Sequence, residues 1–594
     1  MIRIPLSRSL LAVSALLLAA CGGHSASDTP DVAPKLFDGT AADPSLTGPY
    51  ETVARDYDFG RITVRDEITD AQYESDVRGY IRHPDNSDGP WPVLLFLHGR
   101  HQTCETTIGQ LPVPVPEDNC PNIVIIESAL SFRGYDYIAT ALASHGYAVL
   151  SVDANDINDN DSSPGNGDTG ALARAELVLK HLDSFRTISQ EGGQGFDDLA
   201  GKLDFSRVGL MGHSRGGEGV NKTVALNAAR DAPHALKRVF ALAPTDYNTL
   251  TVAGVPFISL APYCDGDVED LMGNFAYDTA RYAKPGDDTP KFQLLAMGAN
   301  HNYFNTVWTS DDWTIHDPAG NDSHCGGNSP NNQRDTPEEQ RALGLFFIAS
   351  FFRAFVGGEA DYAAYWNGRA KVPDSACPDS SGPCDDRYLL SVHAPEKDRL
   401  VVDATLDDTS LSTNALGGAV TLEGFSEIGT CATNGRPGEG CAVAEPTFNT
   451  APQIFLSWDA PARLRSDLMG KDVSAYQMMS VRIGVSHGDT DNADGQDFRI
   501  ELEDGSGATA SVVASDFSDA LFYPPGDDFD SPGSRKTTLN AVDVPLTAFE
   551  GVDLQAIDSV SLVFDKTPAG TVQLTDLLFQ RTQNLPIVIT EQAP

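Results

Sequence analysis

The sequence is poor in positive charge for its length. Its 594 residues contain 41 Lys and Arg against 84 Asp and Glu, a formal net charge of −43 at pH 7. Nucleic-acid binding and adsorption to an anionic bilayer both need clustered Lys and Arg. The composition therefore argues against both kinds of partner. With 41% hydrophobic residues, the chain is apolar enough to fold into globular domains, and its length predicts two to four of them.

Long apolar runs are missing after the first twenty residues, so we expect no membrane-spanning helix in the body of the chain. Arg3 and Arg8 form a basic region before a short apolar run, Leu10–Leu18. This order is typical of an export signal, which we expect over residues 1–20. The sequence Leu18-Ala19-Ala20-Cys21 resembles the lipobox of bacterial lipoproteins. That resemblance implies cleavage before Cys21 and lipidation of Cys21.

These features predict an exported bacterial lipoprotein, in the periplasm, at the outer membrane or on the cell surface, attached to the membrane by its lipid alone. Residues 21–50 are rich in Gly, Ser, Asp and Pro and predict a flexible tether. An exported protein with an even number of cysteines usually pairs them. Cys21 aside, eight remain, and sequence proximity suggests the pairs 104–120, 377–384 and 431–441, which leaves 264–325.

Motifs for a bound metal or nucleotide are also lacking. The cysteines form no C-x-x-C or Cys/His cluster, which argues against structural zinc, and neither G-x-G-x-x-G nor a P-loop occurs. Two acidic loops, Asp153–Asp161 and Asp489–Asp497, carry oxygen ligands that suit Ca²⁺. Neither has the EF-hand order, so solvated loops are favoured and structural calcium stays open. No cofactor is expected to be required.

Short apolar runs alternate with helical patterns over residues 51–375. This alternation predicts a parallel sheet covered on both faces, and hence an α/β domain. The clearest helix is predicted over Pro337–Phe355. The strands are predicted at residues 93–97, 147–152, 207–211, 255–260 and 292–297, with a helix over 171–182 between the second and third.

The texture changes after a Pro-, Gly- and Cys-rich stretch, 376–390, which predicts a disulfide-stapled linker. Residues 391–594 contain short alternating strands separated by Asp, Gly and Asn turns, typical of an all-β sandwich. Within them, residues 542–579 resemble the last strands of galactose-binding-like jelly rolls. The resemblance implies a jelly-roll domain of the carbohydrate-binding-module kind, which binds glycan or polymer or only braces its neighbour.

The sequence Gly212-His213-Ser214-Arg215-Gly216 directly follows the apolar run at 207–211 and precedes a helical pattern. G-x-S-x-G between a strand and a helix is the nucleophile elbow, in which the glycines permit a tight turn that presents the serine above the sheet edge. Ser214 is therefore the candidate nucleophile.

A nucleophilic serine needs a histidine base and a carboxylate that orients it, in the chain order Ser, acid, His. Asp265 and Asp267 follow the strand predicted at 255–260, and His301 follows the one at 292–297. Strand ends of this kind carry the sites of open α/β sheets. Asp265 fits the D-x-x-V pattern better, and Asp267 is the alternative acid.

Here residues 90–356 resemble the α/β-hydrolase superfamily, and within it the bacterial cutinase and polyester hydrolase branch. Besides the elbow, the resemblance is carried by the sequences 149–155 (VLSVDAN) and 298–301 (GANH). It implies Ser214 as nucleophile, His301 as base, Asp265 as acid, and oxyanion donors from the backbone of Arg100 and Arg215. Arg215 replaces the usual Met, and residues 244–246 replace the usual Trp-His, changes that bear on the substrate rather than on the chemistry.

The main hypothesis is a serine hydrolase that cleaves carboxylic esters, small or polymeric, through an acyl-enzyme. A peptidase or amidase would use the same triad, so the bond type is left open. A glycan-binding surface protein with a vestigial hydrolase domain is the third reading, in which the C-terminal sandwich would bind polysaccharide.

Overall fold

A computed structural model of the chain contains two large β-sheets, the first flanked by helices. It describes residues 41–585 except 109–110, 115–126, 162–166, 331–332, 369, 371, 374–375, 378–383, 406–409, 433–440 and 529–532. The predicted signal peptide, Cys21, most of the predicted tether and Cys120 lie outside the described residues. Among those described, no helix is both long and apolar enough to cross a bilayer.

The strands up to residue 393 form a nine-stranded sheet and a small three-stranded one. They are β1 (Thr52–Arg65), β2 (Gln72–Pro84), β3 (Trp91–Leu97), β4 (Cys104–Ile108), β5 (Leu111–Pro114), β6 (Glu127–Ser128), β7 (Ala148–Val152), β8 (Leu203–His213), β9 (Leu236–Leu242), β10 (Phe257–Pro262), β11 (Lys291–Ala296) and β12 (Tyr388–His393). The large sheet has the order β1-β2-β7-β3-β8-β9-β10-β11-β12, and β4, β5 and β6 form the small one. The six strands from β7 to β11 in this order are parallel.

In the described residues, six α-helices cover both faces of the large sheet, which explains why its central strands are apolar runs without alternation. One face packs against α1 (Asp136–Ser144) and α6 (Pro337–Phe355). The opposite face packs against α3 (Ala171–Glu191), α4 (Arg215–Ala228) and α5 (Gly273–Arg281), while the short α2 (Asn155–Asn160) follows β7.

Helix α6 has the bounds that the sequence predicts. The Thr336 side chain accepts a hydrogen bond from the Glu339 backbone, and the Glu339 side chain accepts one from the Thr336 backbone. This capping box and Pro337 at the first helical position fix the start of the helix.

The C-terminal region forms the second nine-stranded sheet, in which every pairing is antiparallel. Its strands enclose one apolar core. The described residues from 394 to 585 contain no α-helix. The strands are β13 (Arg399–Asp403), β14 (Val420–Cys431), β15 (Gln453–Lys471), β16 (Met478–Val485), β17 (Arg499–Asp504), β18 (Thr509–Val513), β19 (Asn540–Pro545), β20 (Ile557–Phe564) and β21 (Gly570–Gln580).

Strand β12 lies at the boundary that the sequence predicts between linker and sandwich. It pairs antiparallel with β11, from Ala296↔Tyr388 to Lys291↔His393, and so completes the first sheet. The predicted boundary at residue 390 falls inside this strand. Pairing between segments a hundred residues apart leaves no local mark, which is why the sequence assigns the strand to two regions.

Buried ion pairs join the two sheet regions. Arg482 of β16 donates to Asp278 of α5 at 2.5 Å, and Arg281 of α5 pairs with Asp576 of β21. Tyr282 also donates to Asp576, at 2.7 Å. All four charged side chains are at least 96% buried. Because a buried charge that loses its partner is strongly destabilising, these pairs hold the two regions in one arrangement.

Three disulfides occur in the described structure: Cys264–Cys325, Cys377–Cys384 and Cys431–Cys441. Two of them, Cys377–Cys384 and Cys431–Cys441, are pairs that sequence proximity suggests, and Cys264–Cys325 is the pair that this suggestion leaves over. The remaining suggested pair, 104–120, includes Cys120 and therefore lies outside the described residues.

Candidate active site

Ser214 occupies the turn between β8 and α4. Its backbone has φ 59° and ψ −129°, a conformation that is costly for a residue with a side chain. A Cβ on Gly212 would lie 2.0 Å from the carbonyl oxygen of Gly216, and one on Gly216 would lie 2.5 Å from that of Leu97. Close packing of backbone around the serine therefore requires both glycines of the motif, as expected for a nucleophile elbow.

His301 and Asp265 meet beyond the ends of two neighbouring parallel strands, β11 and β10. The Nδ1 atom of His301 lies 2.8 Å from Oδ2 of Asp265, and both side chains are buried. The other carboxylate oxygen, Oδ1, accepts the backbone N–H groups of Asp267 and Val268 at 2.9 and 2.6 Å. These bonds leave the Asp265 carboxylate a single orientation, facing the imidazole.

Asp267 lies on the other side of the same imidazole. Its Oδ2 is 3.6 Å from Nε2 of His301, and its side chain is 59% exposed. A triad acid binds Nδ1, because Nε2 must serve the nucleophile. By this criterion Asp265 is the candidate acid, and Asp267 lies on the exposed side of the imidazole.

His301 and Asp265 each shift the pKa of the other. Burial alone would lower the pKa of His301, but the charge of Asp265 and the hydrogen bond to it outweigh burial and raise that pKa to about 9. Burial likewise opposes ionisation of Asp265, yet the His301 partner brings the pKa of the carboxyl below its usual value. A carboxylate facing an imidazolium stabilises the state that a general base reaches after taking a proton.

The residue before Ser214, His213, contacts His301. His213 has its ring 4.9 Å from the ring of His301 and its Nε2 3.0 Å from the His301 carbonyl oxygen. No described residue hydrogen bonds to Nε2 of His301. Catalytic hydrogen bonds are often long in an empty enzyme and tighten with substrate, so this nitrogen is available to Ser214.

The predicted oxyanion donors flank the serine. Arg215 is the first residue of α4, so its N–H lies at the helix N-terminus directly after Ser214. Arg100 follows Gly99, where an added Cβ would lie 2.4 Å from the Cβ of Ser214. Both main-chain segments therefore approach the nucleophile closely, as an oxyanion hole requires.

One buried carboxylate, that of Asp161, interacts with the side chains of both Arg100 and Arg215. Its Oδ2 lies 3.0 Å from Nη1 of Arg215 and 2.8 Å from Nη2 of Arg174, and its Oδ1 lies 3.8 Å from Nη1 of Arg100. The side chains of both oxyanion candidates thus converge on one acid. Sequence reasoning placed Asp161 in an acidic loop and missed this role, since arginines 13 to 61 residues away carry no local signal.

The acidic loops have protein partners for several of their carboxylates. In the first, Asp153 pairs with Arg78 at 2.7 Å and Asp161 pairs with arginines. In the second, Asp497 accepts from the backbone and side chain of Ser515. A group with metal-ligand spacing, Cys264, His324 and Cys325, has its two sulfurs joined in a disulfide. Structural calcium in these loops stays a prediction. The carboxylates named above have protein partners and do not need a metal ion to balance their charge.

Asp312 is a second residue that the sequence did not single out. Its Oδ2 accepts the N–H groups of Gly266 and His301 at 2.7 and 3.1 Å, and its Oδ1 accepts that of Asn302 at 3.1 Å. Burial and the charge of Asp265 raise its pKa to about 6. Asp312 thereby joins the loops of the acid and the base. Its position in the sequence follows no motif.

Trp308 forms one wall beside the site. Its ring stacks on that of His101 at a centroid distance of 4.7 Å and lies 4.6 Å from that of His213. Burial lowers the pKa of His101 to about 3, so this imidazole is neutral at physiological pH. The indole therefore packs against both histidines and lies beside the ring of His301.

Comparison with protein families matches residues 118–305 to the PETase family, described as PET hydrolase-like. The matched range is less than half of the chain and contains Ser214, Asp265 and His301. It implies an α/β-hydrolase fold and a serine ester hydrolase for this region. Comparison with curated proteins found no match to the chain.

Proposed function

We propose that this protein is a serine hydrolase that cleaves carboxylic esters through a Ser214–His301–Asp265 triad. The observation that carries the proposal is the coincidence of a strained nucleophile elbow at Ser214 with the buried 2.8 Å contact between His301 and Asp265. The match of this region to PET hydrolase-like proteins supports ester bonds as the substrate class.

In this mechanism Oγ of Ser214 attacks the ester carbonyl while Nε2 of His301 takes its proton. Asp265 stabilises the imidazolium, and the backbone N–H groups of Arg100 and Arg215 bind the oxyanion. The imidazolium then donates its proton to the alcohol, which leaves an acyl-enzyme on Ser214. Water, deprotonated by His301, releases the acid and restores the serine.

Labelling with a fluorophosphonate probe tests the nucleophile. We expect one label at Ser214, found by peptide mass spectrometry and absent from the Ser214→Ala variant, which should also lose turnover of p-nitrophenyl esters. A folded wild-type protein that neither takes the label nor hydrolyses these esters would refute the proposal. Faster turnover of aminoacyl p-nitroanilides than of esters would show an amidase instead.

We further propose that the enzyme works outside the cytoplasm. The disulfides of the described structure support this, because such bonds persist in oxidising compartments. Expression of the full chain with radiolabelled palmitate tests the predicted anchor: label that disappears in the Cys21→Ser variant is expected, and an unlabelled wild-type protein would exclude lipidation.

A further inference from the structure

The loop that carries the candidate acid lies against the C-terminal region. We call residues 263–268 the acid loop. The Tyr263 hydroxyl donates to the carbonyl oxygen of Pro525 at 2.9 Å and accepts the backbone N–H of Lys536 at 3.0 Å. These contacts join residues that are more than 260 positions apart in the chain.

A second contact ties the same part of the structure. The Ser534 side chain donates to Oδ1 of Asp322 at 2.5 Å, and its backbone N–H donates to Oδ2 at 3.1 Å. Asp322 in turn accepts the backbone N–H of Cys325, whose disulfide partner Cys264 lies in the acid loop. The C-terminal region therefore holds the acid loop directly and through this disulfide.

Lys536 is the cationic residue of these contacts. Its Nζ donates to the backbone carbonyl of Asp265 at 3.0 Å, and the residue is 1% exposed. Within the described residues no carboxylate lies within 4.0 Å of Nζ. The carboxylates that act on it from farther away are those of Asp265, Asp270, Glu269 and Asp312. A buried ammonium with one neutral acceptor is costly to fold, so its charge has to be compensated by this group of acids.

We propose that Lys536 is a positioning residue. Through it, the C-terminal region holds the acid loop in place and stabilises the ionised carboxylate of Asp265. The inference rests on the proposed function, since it presumes that Asp265 serves His301. The hydrogen bond to the Asp265 carbonyl fixes the main chain from which the carboxylate reaches His301. The ammonium also offsets the mutual repulsion of Asp265 and Asp312, two buried carboxylates beside the same imidazole.

The titration of His301 reports on this charge. Its ring is faced by Asp265 and Asp267 of the acid loop, Asp312 of the turn after β11, His213 of the elbow and His101 of the loop after β3. Loss of the Lys536 charge removes a cation from this group. Burial lowers the pKa of Lys536 to about 8, so below that pH the loss of its charge makes protonated His301 more favourable and leaves less of the base neutral.

The test compares Lys536→Met, which keeps the length of the side chain but removes its charge, with Tyr282→Phe. Tyr282 also bonds across the interface, to Asp576, but lies away from the acid loop. We expect Lys536→Met to lower kcat on a p-nitrophenyl ester by roughly ten- to a hundredfold with little change in KM. In the acid limb of its pH–kcat/KM profile, the loss relative to wild type should be larger at pH 7 than at pH 9, where the wild-type lysine is itself largely neutral. Tyr282→Phe should keep the wild-type kcat and limb.

Tyr263→Phe provides a milder variant, because it removes one hydroxyl from the same contact. We expect its kcat to fall several-fold while Tyr282→Phe stays at the wild-type value, and this comparison decides the matter if Lys536→Met does not fold. Folded Lys536→Met or Tyr263→Phe with wild-type kcat and an unchanged acid limb, at pH 7 as at pH 9, would overturn the inference. A wild-type protein without ester turnover or Ser214 labelling would instead refute the proposed function.

Discussion

His301 and Asp312 are joined by a hydrogen bond from the backbone N–H of the histidine to the aspartate carboxylate, 3.1 Å long. The same oxygen accepts the N–H of Gly266, the residue after the candidate acid. One buried side chain therefore fixes the distance between the loops of the acid and the base, independently of the contact between their side chains.

Replacement of Asp312 by Asn should loosen this arrangement. An amide cannot accept at both of its ends, so at least one of the three backbone N–H groups loses its partner. We expect the free energy of unfolding to fall by about 1–3 kcal/mol and kcat to fall by roughly tenfold or more. Urea denaturation and ester kinetics measure both. An Asp312→Asn enzyme with wild-type kcat would show that the loops are held by other contacts.

The two acids of the loop should separate clearly on substitution. Asp265→Asn removes the partner of Nδ1 and should lower kcat by about 10³- to 10⁴-fold. Asp267→Asn is the matched control, with the same chemical change two residues away on the exposed side of the imidazole, and should keep kcat within about tenfold of wild type. If Asp267→Asn is the more damaging change, the acid has been assigned to the wrong residue.

Activity should rise with pH over an unusually alkaline range. Because His301 must be neutral to act as base, and its pKa is raised to about 9, kcat/KM should increase from pH 7 and level off above pH 9. The charge of Asp267 raises this pKa, so Asp267→Asn should move the limb to lower pH. A wild-type limb near pH 6.5 would contradict the strong coupling of His301 to its acids.

The same pKa sets a pH dependence of stability. A histidine whose pKa is raised by folding contributes stability that is complete below its unfolded pKa, about 6.5, and is lost as the pH rises through about 9. We expect wild-type Tm to fall between pH 7 and 9 more steeply than that of His301→Gln, measured by calorimetry. Equal slopes in the two proteins would contradict the prediction.

The buried ion pairs between the sheet regions predict a large effect of Arg482→Met. The variant leaves two buried carboxylates, Asp278 and Asp576, facing the single cation of Arg281, so the free energy of unfolding should fall by about 3–5 kcal/mol. Arg499→Met removes a half-exposed pair with Asp565 on the same sheet and should cost about 1 kcal/mol or less. Similar losses in the two variants would show that the interface pairs add no more than a surface pair.

The sequence predicts those site residues whose role is marked by a short local motif, and it does not predict those whose partners lie far away in the chain. Ser214, Asp265 and His301 could be proposed because each follows a strand end within a short motif. The bounds of Pro337–Phe355 could be predicted because the cap and the apolar face are both local.

Other residues could not be found in this way. Asp161 stabilises arginines from three separate elements, and Lys536 reaches a carbonyl 271 residues earlier in the chain. Their roles depend on which loops meet at one edge of the sheet, and polar side chains that pair over such distances follow no periodicity. His101, in a loop close to the predicted oxyanion donors, is largely buried because Trp308, more than two hundred residues later, stacks on it.

The interface between the two sheets also affects the order in which parts of the chain can fold during synthesis. Asp278 and Arg281 belong to a helix of the first region, yet their partners Arg482 and Asp576 are synthesised about 200 and 300 residues later. While the chain is being made, Asp278 and Arg281 can pair only with each other, and an N-terminal region folded at that stage would expose this charged helix face to water. Final assembly of the first region therefore waits for strand β21, close to the end of translation, so that truncated chains are left incomplete.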